Sequence, residues 1–128
     1  MSVGLPETVR RLVDGNTFVV LSTVNGDGSV QSTVVWVKRD GDDLLFSTIR
    51  GRVKTRNMER DPRVSLCAYD PANPYVYFTV EGTVGLDEAG GDALIDELSR
   101  KYDGKAWTPT PDAVRVVCRV TPSRVISR

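Results

Sequence analysis

Short β-branched runs separated by turns of hairpin length constrain the fold of this chain more than any other feature of its sequence. Turn motifs at 25–28 (Asn-Gly-Asp-Gly) and 40–42 (Asp-Gly-Asp) separate apolar runs at 17–24, 30–39 and 44–48, and such motifs connect antiparallel strands. Further strands are predicted at 63–69, 75–86 and 114–120, with a short addition at 124–127. The pattern predicts a mainly β fold, an antiparallel six-stranded barrel with short flanking helices.

Three helical segments are predicted between the strands. The first covers 6–13 and carries an apolar stripe, and the second opens beside Arg52 and ends before Pro62. The third is predicted to begin with Asp87 as its N-cap, and a pair of glycines at 90–91 weakens its first turn. A length of 128 residues suits one domain covering 1–128.

Composition excludes several classes of function. The chain has 17 basic and 17 acidic residues, so no overall field attracts nucleic acid or an anionic membrane. It contains no histidine, which removes the commonest general base and the usual zinc ligand. No pair of carboxylates has the spacing of an acid–base dyad, so neither a metal site nor a catalytic residue is predicted. An enzyme with this sequence would therefore take its chemistry from a cofactor.

The cysteines bear on the cellular compartment. Cys67 and Cys118 each lie within an apolar run, where small buried thiols are expected. Two cysteines without a CxxC spacing predict no disulfide framework, and we therefore expect a cytoplasmic protein. The first ten residues lack the apolar stretch of a signal peptide, and no run approaches the length of a membrane span.

Positive charge is concentrated between Arg50 and Arg63, where six basic residues fall. Arg52 and Lys54 lie in the first turn of the predicted second helix, where the helix dipole disfavours a cation by about 0.3–1 kcal/mol. An anion at this position removes the conflict, because free backbone N–H groups and both side chains then point at one charge. The pattern predicts a phosphate site for a small phosphorylated ligand. A solvated basic helix face is the alternative.

Three polar residues lie close to this predicted site in the sequence. Ser47 and Thr48 end the third strand, and their hydroxyls are candidate donors to the same anion. Ordinary polarity at a strand end is the alternative for both. Asn57 lies about one turn after Lys54, where its amide either turns back toward the anion or packs the helix.

Aromatic residues supply the remaining candidates. Trp36 ends an apolar run at 34–37 whose two faces are both expected to be covered, so it is either structural or packed against a flat ring. Tyr75, Tyr77 and Thr79 share one face of the predicted long strand, and this amphipathic face predicts a dimer contact. Trp107 lies in a proline-containing loop and is either a lid over a pocket or a plug under the barrel.

The block from Arg52 to Asn57 (Arg-Val-Lys-Thr-Arg-Asn), followed by 60–64 (Arg-Asp-Pro-Arg-Val), resembles the pyridoxamine-phosphate-oxidase-like split β-barrel superfamily. The closer resemblance is to its branch of reductases that use the deazaflavin coenzyme F420. Segments 23–31 and 80–82 support this, and the resemblance extends from about residue 17 to residue 86. The Ser-Arg-Lys pattern of the flavin-using branch is replaced at 51–54 by Gly-Arg-Val-Lys, which favours F420 over flavin mononucleotide (FMN).

The resemblance implies a homodimer with two cofactor sites at the subunit interface. Arg52 and Lys54 would bind the cofactor phosphate, the segment 33–36 would flank the ring, and the tyrosine strand would approach from the other subunit. The predicted cofactor-binding residues are Thr33, Trp36, Ser47, Thr48, Arg52, Lys54, Asn57 and Tyr77.

The leading hypothesis is an F420H2-dependent reductase that transfers a hydride to an unsaturated small organic acceptor. Alternatives are an FMN-binding flavin reductase or oxidase on the same fold, and a non-catalytic carrier of F420. A small barrel that binds single-stranded nucleic acid would need aromatic residues along a basic groove, and the aromatics here are not interleaved with the basic cluster. The expected partners are therefore a small-molecule substrate and a second copy of the chain, without nucleic acid or membrane.

Overall fold

A single antiparallel sheet of seven strands, with three helices, makes up the computed structural model, which describes residues 2–128. In chain order the elements are α1 (Glu7–Asp14), β1 (Val19–Val24), β2 (Val30–Val35), β3 (Lys38–Asp40), β4 (Asp43–Ile49), α2 (Val53–Arg60), β5 (Arg63–Asp70), β6 (Asn73–Asp87), α3 (Gly91–Asp103) and β7 (Arg115–Ser127). The predicted mainly β fold with short flanking helices is confirmed. The number of strands is seven and not the predicted six.

The extra strand arises because the strand predicted at 30–39 breaks after β2. The backbone of Val37 bonds to side chains of α3 and not to a neighbouring strand. Its N–H donates to Tyr102 Oη at 3.1 Å, and its carbonyl accepts from Lys101 Nζ at 2.7 Å. Trp36 and Val37 therefore form a two-residue link between β2 and β3.

This link determines the shape of the sheet. The strand order is β2-β1-β5-β6-β7-β4-β3, so strands that are consecutive in sequence stand at the two outer edges. The sheet must curl until those edges lie one short link apart, which is a barrel that is split along one seam. Tyr102 adds a bond across the seam, since its hydroxyl donates to the carbonyl of Thr17 at 2.8 Å.

Side-chain alternation divides the sheet into an inner and an outer face. The interior contains large buried side chains from most strands, among them Leu21, Leu44, Phe46, Leu66, Phe78 and Val80. Each contributes about 1.5–3 kcal/mol by leaving water. A second cluster lies on the outer face, where Leu45 of β4 packs against Leu94 and Leu98 of α3. α3 therefore covers the outside of β4 and β7.

The start of α3 differs from the prediction. β6 continues to Asp87, whose carboxylate accepts from the N–H of Ala89 at 2.9 Å and does not cap the helix. The N-cap is Gly90, with φ of 82°, and a Cβ at Gly91 would collide with the carbonyl of Arg115. The glycine pair therefore lets α3 lie directly against β7. Within residues 2–128, no helix is long and apolar enough to cross a membrane.

The two cysteines lie on opposite faces and are both free thiols. Cys118 is in the core, where burial raises the pKa of its thiol to about 12. Cys67 is exposed on the outer face of β5. The expectation of a buried thiol is right for Cys118 and wrong for Cys67, because alternate residues of a half-buried strand face solvent.

Candidate anion and cofactor site

A pocket of about 190 Å³ lies between the ends of β2 and β4, the start of α2 and the side of α3 that carries the buried Ile95 and Leu98. Four predicted site residues line it, and a fifth, Thr33, is hydrogen-bonded to one of them. The pocket-lining residues with polar or aromatic side chains are Trp36, Ser47, Arg52, Lys54, Trp107 and Arg115. The strand–helix junction selected from the sequence is therefore a concave site.

The junction depends on one glycine. Gly51 has φ of 94°, a conformation that costs other residues energy, and it turns the chain from β4 into α2. Arg52 is the N-cap of α2 and no side chain caps the helix, and its first turn contains no acidic residue. The first turns of α1 and α3, by comparison, contain Glu7 and Asp92. The first-turn amides of α2 therefore have neither a capping side chain nor an acidic residue in their own turn.

Lys54 is a half-buried cation in this pocket. Its Nζ donates to Thr33 Oγ1 of the edge strand β2 at 3.3 Å, a long contact to a neutral group. Burial, and then the nearby charge of Arg52, hold the pKa of Lys54 below its usual value. Its ammonium has lost hydration without gaining a counter-ion among residues 2–128, which is energetically costly.

Arg115 also lines the pocket, and the sequence reasoning did not select it. It lies opposite Ile49 in the β4–β7 ladder, diagonal to Ser47, and its Nη1 donates to Ser47 Oγ at 3.4 Å. Burial, and then Arg52, lower the pKa of Arg115. The signal in the sequence was an arginine inside a β-branched apolar run, but its partner elements lie far away along the chain.

The three pocket cations differ from most other charges in this protein. Eight lysine and arginine side chains form salt bridges with carboxylates. Within residues 2–128, Arg52, Lys54 and Arg115 form none. Three converging cations without a counter-ion repel one another, and an oxyanion would relieve that repulsion through charge-assisted hydrogen bonds. The donor set therefore fits a phosphate group.

Aromatic rings form one wall of the pocket. Trp36 stacks on Tyr102 with ring centroids 5.5 Å apart and meets Trp107 edge-on at 6.2 Å. The backbone N–H of Trp107 donates to Asp96 Oδ1 of α3 at 2.9 Å. Trp107 also borders an adjoining cavity of about 320 Å³. It is therefore a partition between two cavities on the outside of the sheet, and not a plug under the barrel.

Thr48 and Asn57 lie outside the pocket. Thr48 is fully buried on the inner face of β4, with its Oγ1 2.8 Å from Thr55 Oγ1 of α2. Asn57 is also buried, and its amide donates to Thr23 Oγ1 at 3.0 Å and to Asn25 Oδ1 at 2.8 Å. Both side chains attach α2 to the sheet, which for Asn57 is the packing alternative considered from the sequence.

Tyr77 lies on the outer face of β6, away from the residues that line the pocket of its own chain. It is opposite Tyr69 in the β5–β6 ladder, and its hydroxyl accepts from Arg128 Nε at 3.3 Å. A contact between Tyr77 and a cofactor therefore requires a second subunit, and the predicted role remains a prediction.

Two larger cavities have a different character. One, of about 500 Å³, lies on the outer face around Ser65 and Glu81, and one of about 530 Å³ lies beside α3 around Asp87 and Arg119. Their charged side chains are partnered: Arg119, for example, donates to Asp43 Oδ2 at 3.0 Å. Neither offers a cluster of unpaired cations. Within residues 2–128, no group of three or more His, Cys, Asp or Glu side chains is placed to hold a metal ion.

The family of the chain follows from comparison with known proteins. The sequence profile of the family described as pyridoxamine 5'-phosphate oxidase matches residues 5–128. The chain belongs to this family. A solved structure of an F420 reductase is 33% identical in sequence, covers 95% of this chain and 98% of its own, and superposes with a TM-score of 0.87. The resemblance predicted from the sequence, to the split barrels and to their F420 reductase branch, is confirmed.

More distant members of the fold resemble the whole chain. A conserved hypothetical protein from Mycobacterium tuberculosis is 20% identical, with 98% of this chain and 85% of that chain covered and a TM-score of 0.78. General Stress Protein 26 from Bacillus anthracis str. Sterne is also 20% identical, with 94% and 91% covered and a TM-score of 0.73. At these identities the likeness shows a common fold alone.

Proposed function

We propose that this protein is an F420H2-dependent reductase that transfers a hydride from the deazaflavin cofactor to an unsaturated small organic acceptor. One observation carries the proposal: a pocket of three unpaired cations lies in a chain that is 33% identical to an F420 reductase. The bound deazaflavin supplies the hydride chemistry, and the protein binds and orients it. The absence of histidine is therefore compatible with the reaction.

The pocket residues have separate tasks in binding. Arg52, Lys54 and the first-turn amides of α2 hold the phosphate of the cofactor, and each charge-assisted hydrogen bond contributes about 1.5–3 kcal/mol. Ser47, on the outer face of β4, offers a neutral hydroxyl to the same group. Thr33 keeps Lys54 Nζ in place through their 3.3 Å contact. Trp36 presents an aromatic surface beside the phosphate for the cofactor's ring or side chain.

The size of the pocket supports a site in which one chain holds only part of the cofactor. Its volume of about 190 Å³ lies below the range of roughly 300–1,000 Å³ that is usual for small-molecule sites. We infer that the pocket holds the anionic end and that the ring extends beyond it. A second copy of the chain would supply the missing wall, which supports the homodimer expected from the sequence.

The outer face of the sheet is the surface we propose for the dimer contact. Val34 and Val20 are cross-strand neighbours there, 62% and 40% exposed, and Tyr69 and Tyr75 are 59% and 86% exposed. Exposed aliphatic and aromatic side chains on one face are typical of protein contacts. Tyr77 belongs to the same face, so dimerisation would bring it toward a partner.

The substitution Tyr77→Glu tests this contact. It places a carboxylate in the proposed interface, where burial of a new charge is unfavourable. Sedimentation velocity is expected to show a monomer, with weaker F420 binding. Glu7→Gln, a charge change on α1, is the matched control and should leave the dimer intact. A dimer that persists in Tyr77→Glu with full affinity would place the interface elsewhere.

FMN is the alternative cofactor, because it also combines a phosphate with a planar ring. The similarity to an F420 reductase and the Gly-Arg-Val-Lys sequence at 51–54 favour F420. A carrier that binds F420 without turnover would use the same residues.

Two measurements separate these candidates. Titration with F420 and with FMN, followed by the fluorescence of Trp36 and Trp107, is expected to show tighter binding of F420. Oxidation of F420H2 by a set of activated alkenes and quinones then distinguishes a reductase from a carrier. Equal, weak binding of both cofactors would contradict the choice of F420, and tight F420 binding without any oxidation would support the carrier.

A further inference from the structure

Arg115 has unused hydrogen-bonding capacity at a rigid position. Its backbone is fixed by the ladder with β4 and by the close approach of Gly91 to its carbonyl. Its Nε is buried and has no hydrogen-bond partner among residues 2–128. A guanidinium offers five donors, and within residues 2–128 this one makes a single side-chain hydrogen bond, the 3.4 Å contact with Ser47 Oγ. A buried donor without an acceptor is costly, so Arg115 Nε lacks an acceptor that a ligand could provide.

The side chain rests on an aromatic ring. The guanidinium carbon lies 4.8 Å from the centroid of the Trp107 ring, a cation–π contact that is weaker than a bond to a charged oxygen. Arg119, four residues further along β7, shows the other outcome: its guanidinium bonds to Asp40 and Asp43, each at 3.0 Å. Arg115 and Arg119 thus share a strand and a face but not a counter-ion.

We propose that Arg115 is a third ligand of the oxyanion in the pocket, and that binding draws its guanidinium from the Trp107 ring toward the anion. Trp107 and Arg115 are walls shared by the anion pocket and the adjoining cavity of about 320 Å³. Occupancy of the first cavity therefore changes the shape of the second. The inference rests on the proposed function only for the identity of the anion as a cofactor phosphate.

Inorganic phosphate and the single-tryptophan variant Trp36→Phe test this proposal, because Trp107 is then the only tryptophan. Phosphate is expected to change the Trp107 fluorescence saturably, whereas chloride at matched ionic strength should not. Adding Arg115→Met should raise the dissociation constant for phosphate by about 10- to 150-fold and remove the fluorescence change. Adding Arg119→Met, on the same strand and face, should do neither.

The thermal stability of Arg115→Met is a second readout, because it should not fall although phosphate binding weakens. Arg115→Met removes a desolvated cation next to Arg52, so the melting temperature without phosphate should stay the same or rise. Should this variant not fold, Arg115→Lys keeps the charge but loses the planar fork, and phosphate should still bind more weakly. An unchanged phosphate affinity in the folded variant, or a Trp107 signal that ignores saturating phosphate, would overturn the proposal. Failure of F420 to bind, with phosphate binding still dependent on Arg115, would overturn only the proposed function.

Discussion

Two half-buried lysines, Lys54 and Lys101, show how the same side chain serves two purposes in this protein. Burial lowers the pKa of both. Lys101 Nζ donates to the carbonyls of Val13 and Val37 at 2.6 and 2.7 Å. Among residues 2–128, Lys54 Nζ donates to one group, Thr33 Oγ1, at 3.3 Å. The two ammonium groups differ in their acceptors and not in their burial.

The comparison separates a structural cation from a binding cation. Lys101 joins α1 and the β2–β3 link to α3, so its charge is satisfied when the chain folds. Lys54 retains donors that no residue among 2–128 uses, and its neighbours in the pocket, Arg52 and Arg115, carry like charge. A desolvated cation without acceptors is tolerated when a bound ligand accepts its hydrogen bonds and neutralises its charge. Each lysine should therefore respond to substitution in a different measurement.

The largest effect is expected for the stability of Lys101→Met. This variant removes two charge-assisted hydrogen bonds across the seam of the barrel and should lower the free energy of unfolding by about 3 kcal/mol. Urea denaturation followed by circular dichroism measures it. Lys105→Met, which removes an exposed lysine just after α3, is the control and should change stability by less than about 0.5 kcal/mol. Equal losses of unfolding free energy in Lys101→Met and Lys105→Met would contradict a structural role for Lys101.

Lys54→Met is expected to act on binding instead. The dissociation constant for F420 should rise by about 10- to 150-fold, since one charge-assisted bond to the phosphate is lost. The melting temperature without ligand should not fall, because the variant removes a cation that lacks acceptors. Arg56→Met, an exposed site on the same helix, serves as the control. Unchanged F420 affinity in Lys54→Met would favour the solvated helix face considered from the sequence.

Tyr102→Phe tests whether the contacts of α3 with the β2–β3 link contribute to stability and not to binding. The hydroxyl accepts from the N–H of Val37 and donates to the carbonyl of Thr17, so its removal should lower the free energy of unfolding by about 1–2 kcal/mol. The ring and its stacking on Trp36 are retained. Phosphate affinity, measured by calorimetry, should therefore be unchanged. A parallel loss of phosphate affinity would mean that the seam and the pocket are one unit.

The smallest effect concerns alkaline pH. The pKa of Lys54 in the folded protein lies below its usual value of 10.5, so folding penalises the charged form. That penalty is present below the lowered pKa and is relieved as pH rises from there toward 10.5. The stability of the protein without ligand, relative to Lys54→Met, should therefore rise in this window while its relative phosphate affinity falls. Calorimetry of the unsubstituted protein and of Lys54→Met measures both quantities as a function of pH. Identical pH dependence of stability and phosphate affinity in the two proteins would contradict the prediction.

Much of the site follows from local sequence. A strand, a glycine and a basic helix start are contiguous in the chain, and Ser47, Arg52 and Lys54 of this segment line one pocket. Their role in binding stays a prediction. Strand alternation also separates Ser47 from Thr48, since adjacent residues of β4 face opposite sides. Strand alternation alone therefore places Thr48 on the inner face, although Thr48 was predicted to bind the cofactor beside Ser47.

What the sequence determined by itself are the features set by neighbouring residues: the hairpins, the helix α2 and its cationic first turn. The break at Trp36-Val37 required α3, whose Lys101 and Tyr102 take the backbone bonds that would have continued β2. Arg115 required the register of β7 on β4. Both depend on contacts between residues that are 65 and 68 positions apart in the chain, and such pairing is decided by the burial of the whole sheet and not by any local preference.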